Sequence, residues 1–413
     1  MTITVFSHYF VPEIGAPSAR IHDLAEQWLK LGHNVQVVTC FPNHPTGKHS
    51  PGYTRGRYLC EMLGGIKVHR HWTYITPNRG FFKKTLGHFS YWPSSAWHSE
   101  PRLDRTDVTI GTSPTFFAAM ASHRLARRNG VPHIMEVRDL WPAAIADLGV
   151  LRSRVLIRML ELWELRLYRQ ANRVVTVTEA FRQNLISRGV PAAKVSLVSN
   201  GADASFWQPA TRPATLARLL GLENKIIVLY IGAHGISQAL DTILEVAQML
   251  RDKPNIQFLF VGEGVEKEGL VRRASAAGLN NTQFLGSVDK ASVRDYYALA
   301  DICLVPLRDI PLFKTFIPSK MFEMMAMERP IVASVCGEAA DILNRSGGAV
   351  VVPPQNAAAI VQSIRTLADD CQERARLGRQ GRKFVIEHYS RETLAAKYIG
   401  AIEVARAEFS KTR

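Results

Sequence analysis

Cysteine is scarce: Cys40, Cys60, Cys303, Cys336 and Cys371 are the five in 413 residues, an odd number without CxxC spacing. That argues against a disulfide framework and against a zinc site, and it points to a reducing compartment. The chain has no HExxH, no DxD after an apolar strand and no Cys/His cluster, so a metal-dependent reaction is not expected. It has no GxxxxGK[ST], which removes a P-loop ATPase. No apolar run approaches the ~20 residues of a membrane-spanning helix. The first ten residues, MTITVFSHYF, open directly on a strand pattern without a basic n-region or cleavage site. The expectation is a cytoplasmic protein that does not cross a membrane.

Acidic residues are also outnumbered. Fifty-one Lys and Arg against 36 Asp and Glu leave a formal charge of +15, a field that favours phosphates, nucleic acid or an acidic membrane face without choosing among them. Hydrophobic residues make up 46% and charged residues 21%, the balance of a globular protein. At roughly 150 residues per domain the length predicts two or three domains, and two large α/β domains fit best.

The order of elements supports that division. Thr2 to Phe6 reads as a buried parallel strand, followed by a loop with Gly15, a helix to about Leu31 and a strand from Val35 to Thr39, which makes one βαβ unit. Ile66 to Trp72 is a further strand, in which His69, Arg70 and His71 suit either an exposed face or an acceptor-side surface. Ile134 to Val137 is another, ending in Arg138 and Asp139. Residues 204–222, with Pro209, Pro213 and several Ala and Thr residues, read as a linker. The architecture then starts again: Ile226 to Ile231 is an apolar strand leading through Gly232-Ala233-His234-Gly235 into a helix, and Ile256 to Val261 ends in Gly262-Glu263-Gly264. A glycine-bearing turn before a helix can hold a phosphate on backbone amides, although any Rossmann-like half needs such a turn.

The most informative stretch runs from Ile302 to Ser334. An apolar strand ends at Pro306, a polar loop containing Arg308 follows, and Pro318-Ser319 opens a helix with Ser319 as its expected N-cap. Lys320 and Glu323 fall on one face of its first turns. A cation there suits a diphosphate, and a carboxylate accepts two hydrogen bonds from vicinal ribose hydroxyls. Together they describe one end of a nucleoside diphosphate.

Pro318-Ser319-Lys320-Met321-Phe322-Glu323, with Met325-Ala326 and Arg329 to Ala333, resembles the donor-site signature of the retaining glycosyltransferases of family 4. Within it, the chain resembles the branch that includes N-acetyl-L-fucosamine transferases of bacterial O-antigen and capsule assembly. The resemblance implies the GT-B fold: two Rossmann-like domains facing across a cleft, here 1–203 completed by the helix 391–413, the linker, and 223–390. It implies donor contacts for Gly15, Gly232, His234, Gly235, Glu263, Gly264, Arg308, Pro318, Ser319, Lys320 and Glu323, and sugar contacts for Arg138 and Asp139. Arg138 replaces a family histidine, and Thr315 stands where many members carry a second glutamate. Arginine cannot act as a general base, so in a retaining reaction the donor's own phosphate oxygen would take that part. The letters do not choose between uracil and guanine.

The expected activity is metal-independent transfer, with retention, from a UDP-sugar to a lipid-linked (polyprenyl diphosphate) saccharide at the inner face of the cell membrane, with no nucleic acid as partner. Asn78 to Trp92 and Leu151 to Arg173, both basic and aromatic, suit that surface or an ordinary core helix with a solvated face. Two alternatives stay open on the letters: a UDP-sugar 2-epimerase of the same fold, and a noncatalytic membrane-associated subunit that binds a sugar nucleotide.

Overall fold

The computed structural model describes all residues except 14, 45–46, 77–80, 114, 141–152 and 412–413. The chain divides into two compact units, residues 1–200 with 391–413, and residues 201–390.

In the first unit, eight described strands form one sheet: β1 (Thr2–Phe6), β2 (Asn34–Cys40), β3 (Tyr58–Leu63), β4 (Ile66–His71), β5 (Val108–Thr112), β6 (His133–Val137), β7 (Arg173–Thr176) and β8 (Val195–Leu197), in the order β3-β4-β2-β1-β5-β6-β7-β8. All neighbours are parallel except β3, which runs antiparallel to β4 at the edge. The inner strands are buried along nearly their whole length because helices cover both faces. On one face Ile3, Val5, Val37 and Ile110 pack with Trp28 of the helix Ala16–Lys30 and Tyr398 of the helix Arg391–Lys411. The Trp28 and Tyr398 rings lie 5.1 Å apart. The terminal helix therefore belongs to this unit.

Two sequence expectations fail together here. His69, Arg70 and His71 are not a surface but buried residues. Two of their partners come from β3, which the sequence reading passed over: the Tyr58 hydroxyl and His69 Nδ1 stand 2.8 Å apart, and Arg70 pairs with Glu61, while His71 Nε2 and Ser99 Oγ stand 2.9 Å apart. Burial holds both imidazoles neutral, pushing His69 down to about 4 and His71 to about 3.

The second unit carries β9 (Ile226–Ile231), β10 (Ile256–Val261), β11 (Thr282–Leu285), β12 (Ile302–Pro306), β13 (Ile331–Ser334) and β14 (Ala349–Val352), all parallel, in the order β11-β10-β9-β12-β13-β14. Residues 204–222 are not a free linker. Trp207, Ala217 and Leu222 are buried in this unit's core beside Tyr297 and Leu299, and a short helix forms at Ala214–Leu219. The apolar residues between its prolines and alanines anchor the segment.

Among the parallel strands of each sheet the order reverses once, between β1 and β5 and between β9 and β12. Ligands of open α/β sheets bind outside the carboxyl ends of the strands at such points. The loops there carry Gly15 in the first unit, and Gly232 to Gly235, Arg308 and Pro318 to Lys320 in the second.

Candidate functional site

The second unit gathers most of the expected donor residues. Lys320 begins the helix Lys320–Ala326 and turns back over the end of β9. Its ammonium lies 3.9 Å from the centre of the Tyr230 ring and 3.3 Å from the Ile231 carbonyl, and a Cβ placed on Gly232 would stand 3.5 Å from it. Although the residue as a whole is half-buried, the enclosed ammonium is pushed from 10.5 down to about 7 by burial, with Glu323 and Cys303 opposing. Glu323, one turn on, accepts a hydrogen bond from the Tyr297 hydroxyl at 3.1 Å. A cation and a carboxylate thus stand on one helix face beside a glycine, the chemistry of a diphosphate and a diol. Pro318 is buried ahead of the helix; Ser319 occupies the N-cap position, but its side chain makes no capping bond, contrary to expectation.

The glycines of the β10 loop have a packing reason. A Cβ on Gly262, whose φ is 141°, would stand 2.0 Å from the Gly232 carbonyl oxygen, and one on Gly264 would stand 2.3 Å from that of His234. The two loops are backbone against backbone, and any side chain would force them apart. His234 donates its backbone N–H to Glu263 O and accepts from Glu266 N, both at 2.9 Å.

The His234 ring lies inside the protein. The residue is fully buried among Tyr230, Phe260 and Phe284, neither ring nitrogen has a hydrogen-bond partner among the described residues, and burial lowers its pKa to about 4, with Lys267 and Lys320 acting with it against Glu263. It is neutral and inside, so its contribution is the loop's shape. Gly235 N–H bonds Gln238 Oε1 at 3.1 Å, which closes the turn. Arg308 braces the same turn, its backbone N–H donating to Ser237 O at 2.9 Å and its Nε to Ile236 O at 3.0 Å. Glu263 is exposed and paired with Lys267 at 2.6 Å.

In the first unit, Gly15 stands at the N-terminus of the helix Ala16–Lys30. Arg138 and Asp139 leave β6 with both backbone N–H groups on Ser113 Oγ, at 2.7 and 3.3 Å. The Arg138 side chain is the unusual one. Its Nε and Nη1 are buried without a partner among the described residues, and burial lowers its pKa to about 10, Glu136 opposing and Arg20 adding to the effect. Glu136 is already occupied: Arg20 Nε binds its Oε1 at 3.0 Å and Thr112 Oγ1 its Oε2 at 2.8 Å. Arg20 in turn donates to the carbonyls of Ser199 and Val198, at 2.7 and 2.8 Å. Arg138 therefore stands at the carboxyl edge of the sheet with Asp139 beside it and with Glu136 already engaged. Asp139 is exposed as a residue, yet the protein around its carboxyl raises its pKa, with Arg138 pulling the other way.

Sequence reasoning missed Arg20, Glu136, Tyr230 and Tyr297. One signal was available, since Glu136 is a lone carboxylate inside the apolar strand HIMEV, and a charge buried in such a strand demands a partner. Trp141, Pro142, Leu151 and Arg152 lie outside the described residues.

Both halves of the chain match glycosyltransferase families: residues 15–201 the family described as "Glycosyl transferase 4-like domain", and residues 225–370 "Glycosyl transferases group 1". The chain belongs to the group 1 glycosyltransferases, with the GT-B architecture of two Rossmann-like domains. It is similar to the colanic acid biosynthesis glycosyl transferase WcaI of Escherichia coli, with 27% identity covering 88% of this chain and 91% of that protein. It is also similar to the GDP-mannose-dependent alpha-mannosyltransferase of Mycobacterium tuberculosis, with 23% identity covering 73% of this chain and 71% of that protein. Among solved structures, sucrose-phosphate synthase from Thermosynechococcus elongatus superposes with a TM-score of 0.74 at 18% identity, covering 99% of each chain. Anabaena Alr3699/HepE in complex with UDP-glucose does so with a TM-score of 0.70 at 14% identity, covering 98% of this chain and all of that one.

Proposed function

We propose that this protein is a retaining, metal-independent glycosyltransferase of surface polysaccharide assembly that uses a UDP-sugar. Lys320 neutralises the diphosphate, Glu323 holds the ribose diol, and Arg138 and Asp139 orient the sugar. In the reaction the bond from the anomeric carbon to the diphosphate oxygen breaks and a bond from the acceptor oxygen to that carbon forms. The acceptor's hydroxyl proton passes to the departing diphosphate, which needs no protein base. The observation that carries the reading is the grouping of Lys320, Glu323 and Gly232 at the β9/β12 switch point. The UDP and UDP-glucose named for the HepE structures favour uracil as the base, and the WcaI likeness favours a polysaccharide acceptor. The GDP-mannose named for the mycobacterial relative makes GDP the contrasting ligand. N-acetyl-L-fucosamine is the donor sugar to test first.

The test is a thermal-shift screen against UDP, GDP, ADP and their sugar conjugates. A ligand at 100 times its Kd stabilises the fold by about 2.7 kcal/mol. UDP or a UDP-sugar is expected to raise the Tm of the wild type. Glu323→Ala removes charge-assisted bonds to the diol and is expected to lower kcat/KM about 10- to 100-fold. Unchanged turnover in the variant would remove the ribose role.

The acceptor side of the reading is a lipid-linked saccharide at the inner face of the cell membrane. Among the described residues no helix is long and apolar enough to span a bilayer, but one turns an apolar stripe outward. The helix Arg154–Gln170 exposes Val155 (72%), Met159 (61%) and Leu162 (54%) at helical spacing, with Arg154 and Arg158 among them. Beside it a groove of about 760 Å³ is lined by Trp92, Trp97, Trp163, Arg124, Arg127 and Arg166, among others. Apolar anchors interleaved with arginines suit an anionic interface. The protein is expected to sediment with phosphatidylglycerol-containing vesicles and not with pure phosphatidylcholine, and Met159→Glu with Leu162→Glu to abolish this. Equal recovery with both vesicles would argue against an electrostatic membrane face.

A further inference from the structure

β3 leaves one side of its backbone without a partner. It is joined to β4 through Gly64 and Gly65, both at positive φ, so that Leu63 faces Ile66, Glu61 faces Val68 and Leu59 faces Arg70. A two-residue hairpin closes on a hydrogen-bonded pair, and bonded and non-bonded pairs alternate from there. The bond from the Trp72 N–H to the Arg57 carbonyl, at 3.1 Å, continues the same series. Leu59, Glu61 and Leu63 therefore bond to β4. The N–H and C=O groups of Tyr58, Cys60 and Met62 point away from the sheet, with no backbone partner among the described residues.

Edge strands are ordinarily guarded by lysine, proline or a bulge. β3, with the sequence YLCEML, has no lysine or proline and pairs with β4 without interruption. Leu59, Cys60 and Met62 are exposed. Glu61, the one charge in the strand, is paired with Arg70 and accepts a hydrogen bond from the Tyr53 hydroxyl at 3.0 Å.

At the start of the strand this edge adjoins a groove of about 970 Å³, walled on one side by the helix Phe81–His98. Arg55, Arg57 and Arg102 line it together with Tyr58, Trp72 and His98. All three arginines are exposed, and no carboxylate among the described residues pairs with them. Arg102 lies over the Tyr58 ring at 4.7 Å and donates to the His98 carbonyl. Nearby acids are engaged elsewhere, Asp104 with Lys67 and Glu100 with Arg128, both at 2.8 Å.

These two features call for one kind of occupant. A row of alternating donors and acceptors is satisfied along its length by another extended chain, which a phosphate or a lipid headgroup cannot do. Guanidinium groups at one end of the row call for carboxylates. A second copy of this chain would bring the same arginines and a further charge of +15, so the electrostatics favour a different partner. We propose that β3 is a docking edge for an extended acidic segment of a partner protein. The segment adds as a strand beside Tyr58 to Met62 and sets its carboxylates against Arg55, Arg57 and Arg102. None of these residues has a donor or sugar role above, so the proposal does not depend on the transferase reading.

The test is fluorescence polarisation on the full chain with labelled peptides: a pair of glutamates followed by alternating valine and threonine, the same residues in reverse order, and both again with lysine in place of glutamate. The acidic peptide is expected to bind in at least one order, more weakly as salt is added, and the lysine peptides are not. Cys60→Pro removes an outward N–H while leaving the bonds to β4, and is expected to weaken binding about tenfold. Arg55→Glu with Arg57→Glu is expected to weaken it at least about tenfold. Melting curves show which variants are folded, and the exposed arginine pair serves if Cys60→Pro is not. No binding of either acidic peptide at about 1 mM, or equal binding of the lysine peptides, overturns the docking edge. Sedimentation velocity showing self-association that Cys60→Pro abolishes, without peptide binding, would give the edge to a second copy instead. Binding to phosphatidylglycerol vesicles that the arginine variant loses and Cys60→Pro keeps, again without peptide binding, would make the groove a headgroup site and overturn the acidic segment.

Discussion

Replacing Lys320 with methionine is expected to lower kcat/KM for the nucleotide sugar by about 10²- to 10³-fold, the scale seen when a preorganised charge is taken from a developing anion. Methionine keeps the length and apolar character that pack on Tyr230 and removes the ammonium, so the fold should persist. Glu323 and Tyr297 would remain in place, and residual binding of the nucleoside would report on them. A variant with wild-type kcat/KM would show that the cation over Gly232 serves packing alone.

The same residue predicts a pH profile. In the free protein the Lys320 ammonium titrates at about 7 because burial opposes its charge. A bound diphosphate favours the charged form and raises that pKa, so binding takes up a proton above neutrality. Donor affinity is therefore expected to be highest below pH 7 and to fall about tenfold per pH unit above it until the raised pKa is reached. A UDP-sugar is the right probe, since its esterified diphosphate does not itself titrate near neutrality. The folded pKa also lies below the 10.5 of the ordinary side chain, so the unfolded chain binds more protons across that interval. On account of this residue, stability should rise as pH rises through the interval, and Lys320→Met should flatten the rise. Calorimetry at pH 6.5 to 9 settles both; a flat affinity curve would show that Lys320 does not meet the diphosphate.

Why Lys320 and Glu323 could be found from letters, while their surroundings could not, follows from the range of the interactions. Their spacing is a helical period and the preceding strand is an apolar run, both local properties. The strands Ile226–Ile231, Ile256–Val261 and Ile302–Pro306 were legible for the same reason, being buried on both faces. What packs on the Lys320 ammonium is Tyr230, 90 residues earlier, and no periodicity reports that contact. β3 was missed because it is an edge strand with mostly half-buried or exposed residues, YLCEML, and an edge carries little apolar signal. Without Glu61 and Tyr58 in view, His69 and Arg70 had no partners and read as surface. The burial of the His234 ring was equally illegible: a polar letter in a glycine loop gives no sign that the packing of Gly262 and Gly264 places the ring inside.

Arg138 gives the second large effect, and one in which activity and stability move in opposite directions. Its guanidinium keeps Nε and Nη1 buried without partners among the described residues, while the carboxylate of nearby Glu136 is bound by Arg20 and Thr112. A buried charge of this kind costs folding free energy, which a neutral side chain of similar size would not. If its purpose is to meet a substrate anion, Arg138→Gln is expected to lower kcat about 10²- to 10³-fold while leaving donor KM within a few-fold, because the charge acts as the leaving diphosphate develops. The same substitution is expected to hold or raise Tm. Arg138→Lys should recover only part of kcat, since an ammonium on a flexible stem cannot offer two fixed parallel N–H groups. A purely structural arginine predicts the reverse pattern, a lower Tm with kcat changed only in proportion to folded protein. Steady-state kinetics and melting curves on the two variants therefore decide between a residue that serves the substrate and one that serves the fold.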